Sequence, residues 1–557
     1  MSQSAAPQTR SIAELLPADT PAITVTFLRA GGWEDSLTSA ERAFAWATGF
    51  TAKAGSLAYL PAADGSLSRA LFGLGDPDAP GADPLIAGRL PTMLPVGAYR
   101  IEGAPDPFTA SLAWLLGSYR FDRYRKGESA KACLVPPEGV DGAEVTRIAT
   151  AVALGRDLVN TPANDLGPAE IEAAARALAG RHGAAIRVVQ GEELVREFPL
   201  VHAVGEAATR PPRLIDLTWG PEDAPRVTLV GKGVAFDTGG LDIKPSAAML
   251  LMKKDMGGAA VALATADMVM GAGLNMRLRV LIPAVENAVA GNAFRPGDVL
   301  RSRAGLTVEI GNTDAEGRLI LADALALADA EEPDLILDFS TLTGAARVAL
   351  GPDLPAFFTE DEGLAQEAAQ AGARALDPIW RMPLHAPYAS MLDSKIADLN
   401  NVSNGPFAGA ITAALFLRRF APKTKRHGHF DLYGWNPSSK PARPRAARCR
   451  PPGSPTRCSR GGMGGESPQA ALSFLAASAS ASFIRVCQPG PVSLKAARTS
   501  GSMRSDTGTR FDAAFGRPPR LSRAFARNGG SPSPAGRNSA ISASLSSGLS
   551  QTPSQSS

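Results

Sequence analysis

Residues 226–245 read R-V-T-L-V-G-K-G-V-A-F-D-T-G-G-L-D-I-K-P. The opening apolar run, closed by glycines, is the pattern of a strand buried on both faces, as in a parallel sheet. Working outward from it, helix and strand patterns alternate. Upstream, 171–180 is alanine-rich with helical spacing, and 185–190 and 213–218 read as strands. Downstream, 257–271 reads as a helix, 277–282 and 306–310 as strands, 318–330 as a helix and 334–339 as a strand. This alternation predicts an α/β fold with a mostly parallel central sheet flanked by helices.

The residues that carry chemistry sit at the ends of these strands. Residues 312–318 read N-T-D-A-E-G-R and supply Asp314, Glu316 and Arg318. The first stretch adds Lys232, Asp237 and Lys244, and L-M-K-K-D-M-G-G-A at 251–259 adds Asp255. Ligand sites in open α/β sheets form at the carboxyl ends of strands, so residues distant in sequence converge there. Four carboxylates without neighbouring histidine or cysteine would repel one another unless cations sat among them. They suit oxygen-preferring divalent ions such as Mg or Mn, or borderline Zn. Two such ions would let a bridging water ionise near neutral pH and would polarise a carbonyl or phosphoryl group. Lys244 or Arg318 would then face the developing oxyanion.

Plainer readings stand beside this one. A single acid in a strand-to-helix turn is usually an N-cap or a solvated charge, and lysines among carboxylates can be ion-pair partners only. The glycines at 231, 233, 239 and 240 lack the G-K-[ST] of a phosphate-cradling loop. His427 and His429, spaced along one face of a strand, form a metal pair or ordinary packing. The carboxylates would equally serve a two-metal phosphoesterase, although Arg318 alone is placed to grip phosphate.

Composition divides the chain of 557 residues in two. From Lys440 onward there are 17 Lys plus Arg against 3 Asp plus Glu, so the formal charge of +3 for the whole hides −11 in the residues before. Cys133 is alone in that body, which excludes a disulfide framework and suits a reducing compartment. No apolar run spans a bilayer and the start lacks a signal-peptide pattern, so the expected location is cytoplasmic, with no membrane partner. The cationic tail raises the reading of a nucleic-acid binder, but its arginines are not interleaved with aromatics, which argues against specific recognition.

These motifs closely resemble the leucyl aminopeptidase (cytosol aminopeptidase) family, whose signature is N-T-D-A-E-G-R and whose upstream block is V-G-K-G-x-x-F-D-[ST]-G-G-x-x-x-K-P. The resemblance continues through M-K-K-D-M-G-G-A-A, the P-x-x-E-N of 283–287, R-P-G-D-V at 295–299, S-T-L-T-G-A at 340–345 and the segment 395–402. It implies a metal-dependent aminopeptidase that releases leucine and other apolar N-terminal residues from peptides. Two Mn or Zn ions are implied, one held by Lys232, Asp237, Asp255 and Glu316, the other by Asp237, Asp314 and Glu316. Lys244 would steady the tetrahedral intermediate, and Arg318, with Gly317 and Leu342, would hold a bicarbonate acting as general base. Asp255 would also take the substrate's α-amine, and Met252, Asn312, Thr341 and Gly344 would form the substrate pocket. A homohexamer is implied as well.

The expected organisation is a small N-terminal α/β domain at residues 1–140, a connecting helix and linker at 141–165 and a catalytic domain at 166–442. A basic Arg/Pro/Ser-rich tail at 443–557 follows. Low hydrophobicity and charge bias predict disorder for the tail. Its abrupt change of composition suggests GC-rich DNA translated in a shifted frame, which sequencing the coding DNA across Arg443 would test. The family's closing segment would then be lost, giving an inactive or misassembled homologue.

Overall fold

Five strands, β1 (Ile23–Arg29), β2 (Leu57–Pro61), β3 (Leu67–Gly75), β4 (Gly97–Glu102) and β5 (Ala132–Val135), build an N-terminal sheet in the order β2-β3-β1-β4-β5. All its pairs are parallel except β2 with β3. The structure is a computed structural model and describes residues 12–125 and 132–443. Apart from Arg443, the tail and its proposed change of frame lie outside the described residues.

The helix Gly142–Asn160 joins the two halves of the fold. Asp141 caps it by accepting from the amides of Ala143 and Glu144, which satisfies two donors that have no partner within the helix. Val145, Ile148 and Val152 are buried with the N-terminal sheet, whereas Leu154, Leu158 and Val159 enter the larger core. One apolar stripe thus serves two cores in succession.

The larger half contains β6 (Ala185–Val189), β7 (Arg213–Trp219), β8 (Arg226–Gly231), β9 (Gly233–Asp237), β10 (Arg277–Asn287), β11 (Val299–Arg301), β12 (Thr307–Glu309), β13 (Leu335–Ser340), β14 (Ala356–Phe358), β15 (Trp380–Arg381), β16 (Leu399–Asn400) and β17 (His427–Asp431). Its main sheet runs β15-β14-β17-β13-β8-β10-β7-β6, with β9 added along β10. The central strands β17, β13, β8 and β10 are parallel, while β7, β6 and β14 join antiparallel. The period-2 rule sorts the side chains. Leu335, Leu337 and Phe339 face the core shared with the helices Pro168–His182 and Gly257–Gly271, and Ile336 faces the core shared with Glu316–Ala330.

The expected strand at 306–310 is present as β12 but is not part of the main sheet. It forms a hairpin with β11 around Ser302–Gly305 contacts and pairs in parallel with β16, giving a separate three-stranded sheet. Apolar content cannot tell a sheet-core strand from a short hairpin arm.

Candidate functional site

The carboxyl ends of β8, β9 and β13 meet the first turns of two helices, and close backbone approach there depends on glycine. A Cβ on Gly258 would lie 2.0 Å from the carbonyl oxygen of Phe339 and 2.7 Å from the amide nitrogen of Lys232. Only a bare backbone lets the helix Gly257–Gly271 dock on the strand ends. Lys232, between β8 and β9, donates its amide to Phe339 O at 2.9 Å and accepts from Ala259 N at 2.8 Å. Its side chain is thereby aimed inward.

Two lysines each touch two carboxylates. Lys232 Nζ lies 2.7 Å from Asp255 Oδ2 and 2.9 Å from Glu316 Oε1. Lys244 Nζ lies 2.8 Å from Asp237 Oδ2 and also contacts Asp314 Oδ1. Asp237, Asp255 and Glu316 are buried, and one oxygen from each lies within 4.8 Å of the others. Asp237 Oδ1 is held by the Gly239 amide and by Asn287 Nδ2, both at 2.9 Å. Asp255 Oδ1 accepts from Thr341 Oγ1 at 2.7 Å.

Both oxygens of Glu316, together with Asp255 Oδ2 and Asp314 Oδ1, are buried without a well-directed hydrogen bond. The lysine contacts are close in distance but do not satisfy these oxygens in direction. Burial raises the Asp314 carboxyl to about 6, helped by the Asp237 charge. Burial, Asp237 and Asp255 likewise push Glu316 well above the usual carboxylate range. Burial pulls Lys232 down, but Asp255, Glu316 and Asp237 outweigh it and leave its ammonium strongly favoured. Four carboxylates against the two ammoniums that touch them leave excess negative charge in a largely buried site. Orphaned carboxylate oxygens beside an amine fit hard or borderline divalent cations.

The N-T-D-A-E-G-R turn is held by partners far along the chain. Asn401 Oδ1 accepts from the amides of Gly311 and Asn312, and its Nδ2 donates to Asn312 O at 2.8 Å. Asn312 Oδ1 in turn accepts from the Asp314 amide at 2.7 Å. Thr313 Oγ1 donates to Gly239 O at 2.6 Å, and its amide donates to Asp242 Oδ2 at 2.7 Å, which laces this turn to the 238–244 loop. A Cβ on Gly317 would lie 2.4 Å from Lys232 Cε. The space that this glycine leaves is filled by the lysine.

Arg318 is buried behind Glu316 and donates Nη1 to Asn401 O at 2.7 Å. Burial lowers its pKa to about 10, against the opposing charges of Glu316 and Asp431. The Leu342 amide donates to Asp431 Oδ1 at 2.9 Å, and Thr343 adds its amide and hydroxyl to the same carboxylate. A cavity of about 490 Å³ opens onto the carboxylates and is lined by Met252, Thr341, Leu342 and Gly344 among others. Asn312 does not line it and acts instead within the turn.

His427 and His429 do not reach this cluster. Both rings hydrogen-bond the buried carboxylate of Asp338, at 2.7 and 2.5 Å. Burial alone would raise Asp338, but the two rings hold it below its usual range. The pair therefore belongs to packing between β13 and β17. Asn287, Asn401 and Asp431 are the supporting residues that sequence reasoning did not single out. Two of them lay in quoted segments, 283–287 and 395–402, without an assigned task.

Comparison with known proteins gives the same picture. The model of the cytosol aminopeptidase family catalytic domain matches residues 153–458, and that of the M17 aminopeptidase N-terminal domain matches residues 26–137. A probable cytosol aminopeptidase of Geotalea uraniireducens is 37% identical over 407 residues, covering 68% of this chain and 82% of the relative. The crystal structure of the cytosol aminopeptidase from Coxiella burnetii is similar with a TM-score of 0.75 and 46% identity, covering 78% of this chain and 96% of the other. The bottromycin maturation enzyme BotP in complex with Mn is similar with a TM-score of 0.70 and 35% identity, covering 76% and 96%. With an acidic, lysine-bearing site at the strand ends and both family models matched in order, the chain belongs to the cytosol aminopeptidase family of metal-dependent aminopeptidases.

Proposed function

We propose that the cavity releases N-terminal residues, leucine and other apolar ones among them, from peptides with the help of two divalent ions, Mn or Zn. The observation that carries this reading is the buried trio Asp237, Asp255 and Glu316, with carboxylate oxygens unsatisfied beside Lys232. Lys232, Asp237, Asp255 and Glu316 would hold one ion, and Asp237, Asp314 and Glu316 the other. When bound, such ions supply a nucleophilic water at neutral pH and polarise the scissile carbonyl. The manganese named for the BotP complex supports that metal as one choice.

The chain's own groups then have separable tasks. Lys232 must give up its proton to serve as a ligand, so loading the site releases at least one proton. Asp255, at the cavity wall, would receive the substrate's free α-amine, which confines cleavage to the first peptide bond. Lys244, whose burial is outweighed by Asp237 and Asp314 so that it stays charged, donates to the oxyanion that develops on the carbonyl. Met252, Thr341 and Gly344 contact the first side chain, and Asn312 fixes the turn below it.

A bicarbonate would be carried chiefly by Arg318, which spends a single hydrogen bond on the protein among the described residues. Gly317 adds an amide from the helix's first turn, where amides lack intrahelical acceptors. The Leu342 amide already donates to Asp431. Held there, the anion would take a proton from the attacking water. The assembly is a homohexamer in this proposal, and the location is cytoplasmic, as the family's name suggests. No described helix is long and apolar enough to cross a membrane.

Hydrolysis of Leu-p-nitroanilide and of Leu-peptides tests the reading. Release of the first residue, abolished by a chelator and restored by Mn or Zn, is expected. Hydrolysis that is indifferent to chelation, or that begins inside a blocked peptide, would overturn it.

A further inference from the structure

The cavity that opens on the carboxylates is also lined by Lys254 and Arg347, two cations that the hydrolysis does not use. Lys254 lies in the short 3-10 helix Met252–Met256 and is buried, and Arg347 lies exposed on the helix Gly344–Leu350. Their charged ends approach one ring. Lys254 Nζ is 5.0 Å and the Arg347 guanidinium carbon 5.1 Å from the centroid of Tyr433. The other lysines near the site are compensated, Lys232 and Lys244 by two carboxylates each and Lys253 by Asn160 O at 2.6 Å. Among the described residues neither Lys254 nor Arg347 makes an ion pair or a side-chain hydrogen bond.

A buried ammonium that no carboxylate contacts directly is costly, and the nearby charges of Asp255 and Asp431 offset only part of that cost for Lys254. A tyrosine face offsets part of that cost, but two cations on one ring also repel each other. The arrangement is completed by an anion. Its place in the cavity indicates which one. The Tyr433–Gly434 turn sits against Thr341, since a Cβ on Gly434 would lie 2.9 Å from Thr341 Cγ2 and 3.6 Å from Lys254 O. Thr341 and Met252 belong to the pocket assigned above to the first side chain. Two divalent ions would offset the four carboxylates, leaving the cations to set the sign of the field that a substrate meets.

We propose that Lys254 and Arg347, set around Tyr433, bind a carboxylate of the peptide substrate and make this enzyme prefer substrates bearing one over their neutral isosteres. The inference rests on the peptidase reading of the same cavity. The carboxylate is supplied either by an acidic first residue or by the free C-terminus of a short peptide.

Kinetics of the metal-loaded full chain on matched peptides separate these sources. Glu-Ala-amide against Gln-Ala-amide reads the side chain, and Leu-Ala against Leu-Ala-amide reads the C-terminus. In at least one pair the carboxylate member should have a kcat/KM higher by about tenfold or more, mostly through KM, as expected for a charge-assisted hydrogen bond. Arg347→Gln, at an exposed position, and Lys254→Gln should each bring that ratio toward unity, a change that a purely structural loss would not produce. Ratios near unity in the unaltered enzyme, or a preference that survives both substitutions, would overturn the proposal. Failure to cleave any of the four peptides would sink the peptidase reading instead. The charge preference would then be read by calorimetry from L-glutamate against L-glutamine and Leu-Ala against Leu-Ala-amide. Equal binding within both pairs would refute it.

Discussion

Gly317→Ala isolates the contact on which the site's geometry depends. The added Cβ would sit 2.4 Å from Lys232 Cε, 2.5 Å from Nζ and 2.9 Å from Cδ. Ordinary carbon contacts begin near 3.4 Å, so the lysine tip, which is buried at the cavity wall, must retreat by about 1 Å. It cannot do so freely. Its Nζ is 2.7 Å from Asp255 and 2.9 Å from Glu316, and Thr341 O lies at 3.4 Å. Overpacking of this kind costs about 1–3 kcal/mol, and complete loss of one partner of a buried pair would cost about 3–5 kcal/mol. A partial displacement should therefore lower stability by about 2 kcal/mol. It should also weaken metal binding by about 10- to 100-fold, the range seen when groups that orient ligands are disturbed. Urea denaturation of the metal-free protein and calorimetric titration with Mn measure the two effects. A variant that matches the parent within about 0.5 kcal/mol and binds Mn equally well would show that Lys232 does not need this space.

Three further outcomes follow from the same contacts. In the metal-free protein, Asp314 is raised to about 6 and Glu316 well above its ordinary range, whereas Lys232 and Lys244 stay charged throughout the acid range. The folded state then keeps carboxyl protons that the unfolded chain has released, so this contribution to stability falls as pH rises from the ordinary carboxylate range through about 6. Asp314→Asn should flatten that slope in denaturation across pH 4–8, and Mn affinity should rise over the same interval as protons cease to compete. Asn401→Ala leaves the amides of Gly311 and Asn312 without their side-chain acceptor and should cost about 1–3 kcal/mol, with a fall in kcat larger than any change in KM. Asp338→Asn strips the charge from between His427 and His429 and should cost about 3–5 kcal/mol in denaturation, while bound metal per folded chain stays unchanged.

The parallel centre of the main sheet was legible because β8, β10 and β13 are short apolar runs separated by helix-period text. The glycine-flanked turns at the ends of β8, β9 and β12 carry Lys232, Asp237, Asp314 and Glu316, and these residue types in such turns mark the site in sequence. β12 was legible as a strand and not as a member of another sheet, since its partner β16 lies about ninety residues away and pairing leaves no local trace. Asn401 and Asp431 were invisible for a similar reason. Each is one polar residue in ordinary text, and only the fold shows that it holds the backbone of a distant turn. The family resemblance gives Gly317 a share in holding an anion, and the structure adds that its missing side chain makes room for Lys232. The two histidines show the converse, since a ligand-like spacing in sequence is satisfied by a buried Asp338.

The most direct test of the account measures bound metal and peptide hydrolysis together in the parent protein and in Glu316→Gln. Glu316 is fully buried, with both oxygens lacking a directed hydrogen bond, and the change keeps its shape while removing its charge. The account predicts two Mn or Zn ions per parent chain with release of the first residue from Leu-peptides. It predicts fewer than one tightly bound ion in the variant and a loss of kcat/KM of more than about hundredfold, beyond what disturbing an orienting group produces. Undiminished hydrolysis by Glu316→Gln, or full activity in a chain stripped of metal, would contradict it.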